Sequence, residues 1–148
     1  MKKSLKKHLP SVCGLILLGV LTALSAGPLD AWAQDLQFTP GLRSIWLRNM
    51  ADFAIYFLCG AAMALLIAGG GAHGFRVRLP WAVGGCLVLA YCLLPLVLLG
   101  LDTGVPQWGV FSLLFPVGQG EFVRFPRYIL FLLAGFLTVY GFYGRREA

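Results

Sequence analysis

The apolar positions of this chain fall into three long uncharged runs, at residues 53–72, 79–101 and 128–144. A membrane-spanning helix needs about 20 residues, because each residue adds about 1.5 Å and the hydrocarbon core is about 30 Å thick. The bilayer offers no water to backbone N–H and C=O groups, so runs of this kind form helices, which satisfy those groups internally. The pattern predicts an all-α integral membrane protein with transmembrane helices over about residues 53–72, 79–101 and 127–144.

The first 33 residues have the three parts of a secretory signal peptide. Residues 1–10 are basic, residues 11–26 contain an apolar stretch, and Ala31 and Ala33 are small residues at the two positions that signal peptidase reads. We predict cleavage after Ala33, which leaves residues 34–148 as a single membrane domain. The alternative is a segment retained as a fourth helix, although its apolar stretch is shorter than the about 18 residues expected of a span.

The segment before the first span has helical features of its own. Thr39 and Pro40 resemble an N-cap and a first helical residue, and apolar residues recur at helical spacing from Leu42 onward. Arg48 and Asp52 stand four residues apart, where they can pair on one helix face. One interpretation is a short amphipathic lead-in helix; the other is that this stretch lengthens the first span.

The segment from residue 102 to residue 126 contains several prolines and glycines, so it cannot be one long helix. Its residues 110–115 are too few to cross a bilayer but too apolar to remain in water. We expect an outer-face hairpin that lies in or dips into the outer leaflet. It either covers the outer ends of the helices or forms a docking surface.

Arginines at the span ends set the expected orientation. Arg76 and Arg78 lie between the first two spans, and Arg145 and Arg146 follow the third. Arginine is retained on the cytoplasmic side during insertion. We therefore expect a multi-pass protein of a bacterial inner membrane, with its mature N-terminus in the periplasm and its C-terminus in the cytoplasm.

Small residues form one stripe on the first span and another on the third. Small side chains let helix backbones approach each other, which is the main source of helix association in lipid. We expect at least one stripe to contact a neighbouring protein. The predicted helix-packing residues are Gly60, Ala64, Ala68, Ala134, Thr138 and Gly141.

Composition and charge offer few groups for chemistry. The chain is 59% hydrophobic and only 12% charged, and four lysines of its +6 net charge lie in the first seven residues, so no basic surface for nucleic acid remains. Cys59, Cys86 and Cys92 lie in the first two spans without a CxxC spacing, and His73 is the one histidine after the signal. The three apolar runs, at residues 53–72, 79–101 and 128–144, contain no charged residue, which counts against an ion-coupled pump. We expect no catalytic residue, metal or cofactor.

These features favour a structural or assembly subunit of a larger membrane complex, with the lipid bilayer and other membrane proteins or further copies as partners. The order of the Ala31-Trp32-Ala33 signal end, the span 53–72, the basic loop Arg76-Val77-Arg78 and the span 79–101 is similar to that of the major pilins of conjugative type IV secretion. This resemblance implies, as an alternative, a pilin-like subunit. A small permease or a holin-like pore is the third possibility, since holins also combine about three spans with a charged cytoplasmic tail.

Overall fold

In a computed structural model of the chain, residues 2–37, 41–69, 77–101 and 121–142 are described, and these residues form helices and no strand. The all-α class predicted from the apolar runs is therefore confirmed for this part of the chain. The helices are α1 (Lys2–Ser25), α2 (Pro28–Gln37), α3 (Leu42–Gly69), α4 (Leu79–Gly100) and α5 (Glu121–Phe142).

Among the described residues, three helices are long and apolar enough to cross a membrane. Their apolar segments are His8–Ser25 in α1, Arg43–Ile67 in α3 and Leu79–Gly100 in α4, whereas α5 contains a shorter apolar segment, Pro126–Phe142. A multi-pass membrane protein is compatible with these lengths. The segment in α1 is longer than the sequence led us to expect, because the helix continues through Pro10 and reaches Ser25.

Helix α5 lies between α3 and α4, which touch each other much less, and α1 packs along α3. Helices α3 and α5 run parallel, since Asn49 contacts Arg127 and Phe57, about two turns further along α3, contacts Gly135. Helix α4 runs antiparallel to both: its N-terminal neighbour Arg78 bonds to Gly141 near the end of α5. The bundle thus has an Arg127 end and an Arg78 end.

A small apolar core joins α3, α4 and α5. The rings of Phe53 and Phe131 meet edge to face, with centroids 5.2 Å apart. Cys92 and Leu96 of α4 and Ala134 of α5 complete the buried cluster. Because each of the three helices supplies a fully or nearly fully buried side chain, they form one packed unit.

Two expected elements differ from the structure. The lead-in helix is not separate: Leu42–Gly69 is one continuous helix, since no proline interrupts it. Helix α5 begins at Glu121, so the last six residues of the expected outer hairpin are helical, and Pro126 lies in the second turn of α5. The N-cap predicted at Thr39 and Pro40, and the rest of the hairpin, lie outside the described residues.

Candidate functional site: interhelical contacts at the two ends of the bundle

Arg127 is a buried arginine that joins α5 to α3. Only 7% of the residue is exposed. Its Nη1 donates a hydrogen bond to Oδ1 of Asn49 at 2.7 Å, and its Nη2 donates to Oδ2 of Asp52 at 2.9 Å. The pair with Asp52 is a salt bridge whose side chains are 9% and 24% exposed. A charged pair so little exposed depends on its partners being in place, because an unpaired charge in an apolar surrounding is very costly.

The groups around Arg127 hold it in one orientation. Asn49 donates from Nδ2 to the carbonyl oxygen of Ile45 at 2.7 Å, which fixes the amide that accepts from Arg127. The guanidinium lies 5.0 Å from the ring centroid of Tyr128, and that ring stacks on Tyr56 of α3 at 4.4 Å. Nε of Arg127 has no hydrogen-bond acceptor among the described residues. Hydrogen bonds, an ion pair and ring stacking therefore all join α3 to α5 at this end.

The sequence suggested a different partner for Asp52. Arg48 stands four residues before it, but the salt bridge in the structure joins Asp52 to Arg127, 75 residues away. Helical spacing on one segment cannot reveal such a contact, because it depends on which helices become neighbours. The one available signal was an arginine at the very start of the third apolar run.

Arg78 joins α4 to α5 at the opposite end. Its backbone N–H donates to the carbonyl oxygen of Gly141 at 2.8 Å, and its guanidinium lies 5.5 Å from the ring centroid of Tyr140. Trp81 meets the same ring edge to face at 5.6 Å. A cation beside the last carbonyls of α5 is also favoured by the helix dipole. Arg78 was predicted as a topology residue; Arg76, Arg145 and Arg146 lie outside the described residues.

The predicted small residues lie at contacts within the chain. A Cβ atom on Gly60 would collide with the carbonyl oxygen of Leu132, so α3 and α5 touch backbone to backbone there. Ala64 and Ala134 are fully buried. On the other side of α5, a Cβ on Gly141 would lie 2.5 Å from the backbone nitrogen of Ala82 in α4. These four positions of the stripes therefore pack inside the bundle, and the intermolecular contact that we expected of at least one stripe stays a prediction.

The remaining stripe positions are less informative. Thr138 donates its hydroxyl to the carbonyl oxygen of Ala134 at 2.6 Å, a bond within α5. Ala68 belongs to α3, but its side chain is outside the described part. Sequence reasoning missed two glycines that permit close approach: Gly85 meets the backbone of Leu137 and Thr138, and Gly135 meets Phe57. No stripe was predicted on α4, and Gly135, which directly follows Ala134, was not included in the stripe predicted on the third span.

No protein-family model, no curated protein and no solved structure matches this chain. Its function is therefore inferred from its own residues: the contacts at the two ends of the bundle, the close approaches at glycine, and the outward faces of the helices.

The predicted signal-cleavage residues lie in α2. Ala31 is exposed and Ala33 is half-buried. Helix α1, which cleavage would remove, packs closely on α3: a Cβ on Gly14 would lie 2.8 Å from the carbonyl oxygen of Ala62. Cleavage after Ala33 stays a prediction, and it would uncover this face of α3.

The cysteines are separate free thiols. Cys92 is fully buried, Cys59 is half-buried, and Cys13 and Cys86 are exposed. The described part of the chain contains no group of three or more His, Cys, Asp or Glu side chains placed to hold a metal ion. Cys92 lies in the apolar core, where a cysteine packs as a small hydrophobic residue.

Proposed function

We propose that this chain is a small multi-pass protein of a bacterial inner membrane that acts as a structural or assembly subunit of a larger membrane complex. The observation that carries the proposal is that ionisable side chains near the ends of the helices form contacts between helices. Asp52 and Arg127 join α3 to α5, and Arg78 joins α4 to α5. Ionisable groups held in helix contacts give a rigid bundle, whereas acid–base catalysis needs such groups aimed at a substrate.

The outward face of α4 offers a place for a partner. A Cβ on Gly84 would meet no atom of the described residues within 4 Å, whereas a Cβ on the adjacent Gly85 would collide with the backbone of α5. Large apolar side chains on the same helix are exposed, with Val83 at 49% and Leu87 at 67%. Lipid covers such a face equally well, but a small residue on it also lets a second helix approach closely, which is how spans associate.

The two alternatives have less support from the contacts. A pilin-like subunit would rest on the two spans α3 and α4 as a hairpin, yet α5 lies between them. A pore would need a polar helix face. The hydroxyl of Thr138 is bonded within α5, and Tyr56 and Tyr140 pack against neighbouring rings inside the bundle.

The expected orientation belongs to this proposal. The Arg127 end would face the periplasm, and the Arg78 end, with its basic neighbours in the sequence, would face the cytoplasm. An alkaline phosphatase fused after Ala148 should then be inactive, because that enzyme needs the periplasm. Strong phosphatase activity of this fusion would reverse the orientation.

The deciding experiment is a purification in mild detergent through a tag after Ala148, followed by mass spectrometry of the bait and of every protein that accompanies it. A defined set of membrane proteins is the expected result. The bait's intact mass also reports whether the first 33 residues are removed. A chain that leaves native membranes alone, at the size of one copy, would contradict the proposal.

A matched pair of variants tests the outward face of α4. Gly84→Leu fills the open position and should release the partner, while the fold is kept because a Cβ there meets no atom of the described residues within 4 Å. Val83→Leu changes an exposed apolar side chain to another on the same helix and should retain the partner. Retention in both variants would exclude this face as the docking surface.

A further inference from the structure

An apolar groove opens between α3 and α4 at the Arg127 end of the bundle. Its volume is about 280 Å³. Among the described residues that line it, no side chain is charged, and the indole N–H of Trp46 is the one side-chain hydrogen-bond donor. The described lining residues are Trp46 and Met50 of α3 and Leu93, Leu96, Val97, Gly100 and Leu101 of α4.

One wall of the groove is fixed by Trp46. The indole Nε1 donates a hydrogen bond to the carbonyl oxygen of Leu96 at 3.0 Å, so the ring has no free polar group. Gly100 permits this position, since a Cβ there would lie only 2.6 Å from the same nitrogen. The position of Trp46 is therefore fixed by the chain itself, and its indole N–H already has an acceptor.

The dimensions fit one hydrocarbon chain. From Leu93 to Leu101 the helix rises about 12 Å, which gives the length of the groove along α4. The volume lies below the about 300–1,000 Å³ of typical small-molecule sites. A space that is long, narrow and uncharged suits an extended acyl chain better than a compact polar ligand.

A basic side chain precedes the groove-lining residues of α3 by one to two helical turns. Arg43 is exposed in the first turn of α3, seven residues before Met50 and three before Trp46, so all three lie on one side of the helix. The helical rise places Arg43 about 10 Å from Met50 along the axis, towards the helix end. Arginine binds phosphate through its planar set of N–H donors.

We propose that this groove binds one phospholipid, with an acyl chain between α3 and α4 and the phosphate group beside Arg43. The charge at one end and the apolar wall along the rest match the two parts of such a molecule. The proposal does not depend on a partner complex, because every residue in it belongs to this chain.

The test uses the purified full chain, stripped of lipid in detergent and titrated with dioctanoyl phosphatidylglycerol while native mass spectrometry counts bound molecules. One lipid per chain is expected. Val97→Phe narrows the groove and should weaken binding about tenfold. The matched control Val83→Phe, on the same helix and similarly exposed, should bind as the wild type does. Arg43→Gln should weaken this lipid about fivefold without affecting dioctanoylglycerol, which lacks the phosphate.

A second measurement detects the lipid by fluorescence, and only its Trp81 control, which lacks Trp46, changes a residue that lines the groove. The probe is a lipid with brominated acyl chains, supplied at about one molecule per protein. It should quench the fluorescence of a variant whose single tryptophan is Trp46. It should not quench a variant whose single tryptophan is Trp81. Equal quenching of the two, or equal binding by the Val97 and Val83 variants, would mean non-specific lipid only and would overturn the proposal. Inorganic phosphate that binds as tightly as the lipid would assign Arg43 to a free anion instead. Loss of a co-purified protein, rather than of lipid, from Val97→Phe would make the groove a protein contact and would also refute the proposal.

Discussion

The adjacent glycines of α4 give the sharpest test of the helix arrangement. Gly85 faces α5, where a Cβ would lie 2.8 Å from the backbone nitrogen of Thr138 and 2.9 Å from the carbonyl carbon of Leu137. Gly84 faces outward, where a Cβ would meet no atom of the described residues within 4 Å. We predict that Gly85→Ala destabilises the bundle and that Gly84→Ala does not.

The magnitude follows from the contact. At Gly85 the added methyl meets backbone atoms, which cannot rotate away, so α4 and α5 must move apart. Overpacking of this kind costs about 1–3 kcal/mol. Alanine also has a higher helix propensity than glycine by up to about 1 kcal/mol, but this gain is common to both positions and cancels in the comparison. The Gly85 variant should therefore be about 1–3 kcal/mol less stable than the Gly84 variant.

The assay is reversible unfolding of the purified chain in mixed micelles, followed by circular dichroism or by tryptophan fluorescence. The two variants have the same composition and differ by one position, so detergent binding is matched. Equal stability of the two would refute the close α4–α5 contact. A lower stability of the Gly84 variant would mean that α5 packs on the face of α4 that carries Gly84, and not on the face that carries Gly85.

Three further outcomes follow from the other contacts. Asp52→Asn and Arg127→Met should each lower the free energy of unfolding by about 1.5–3 kcal/mol in the same assay. The double variant should show a coupling energy between the two positions of about 1 kcal/mol or more. Additive effects would mean that the pair does not form. Gly60→Ala and Gly135→Ala should each cost at least the about 1–3 kcal/mol of an overpacked site, because each new methyl meets a carbonyl oxygen of the opposite helix; wild-type stability of either would contradict the parallel contact of α3 and α5. Trp46→Phe should cost about 1 kcal/mol through the loss of its hydrogen bond to a main-chain carbonyl of α4, and an unchanged stability would show that the indole is not held there.

The apolar pattern predicts the helical class well, because a long apolar run in a bilayer must satisfy its backbone hydrogen bonds internally whatever its neighbours are. Residues 79–101 show this best: the predicted span and α4, Leu79–Gly100, differ by one residue. The start of α5 is less predictable, since the loop interpretation followed from the prolines and glycines of residues 102–126. A proline in the second turn removes one helix hydrogen bond, and packing against neighbouring helices compensates for such a loss.

The candidate site was less predictable than the helices. Gly60 and Gly141 were recognised as packing residues, because small residues at helical spacing are a property of a single segment. Their partners, Leu132 and Ala82, were not, since partner choice depends on the order in which helices pack. The pairing of Asp52 with Arg127 was missed for the same reason. One sequence without relatives carries no information on which distant positions meet.

The contacts of α5 connect its sequence to its place between the other two helices. Its apolar segment, Pro126–Phe142, is shorter than the apolar segments of α1, α3 and α4, and it contains the charged Arg127 at its second position. Alone in a bilayer, such a segment has the weakest preference for a spanning position and leaves a cation unpaired near its end. Beside α3 that charge is paired with Asp52, and beside α4 the last turn is bonded through Arg78. The position of α5 in the bundle therefore depends on its contacts with both α3 and α4.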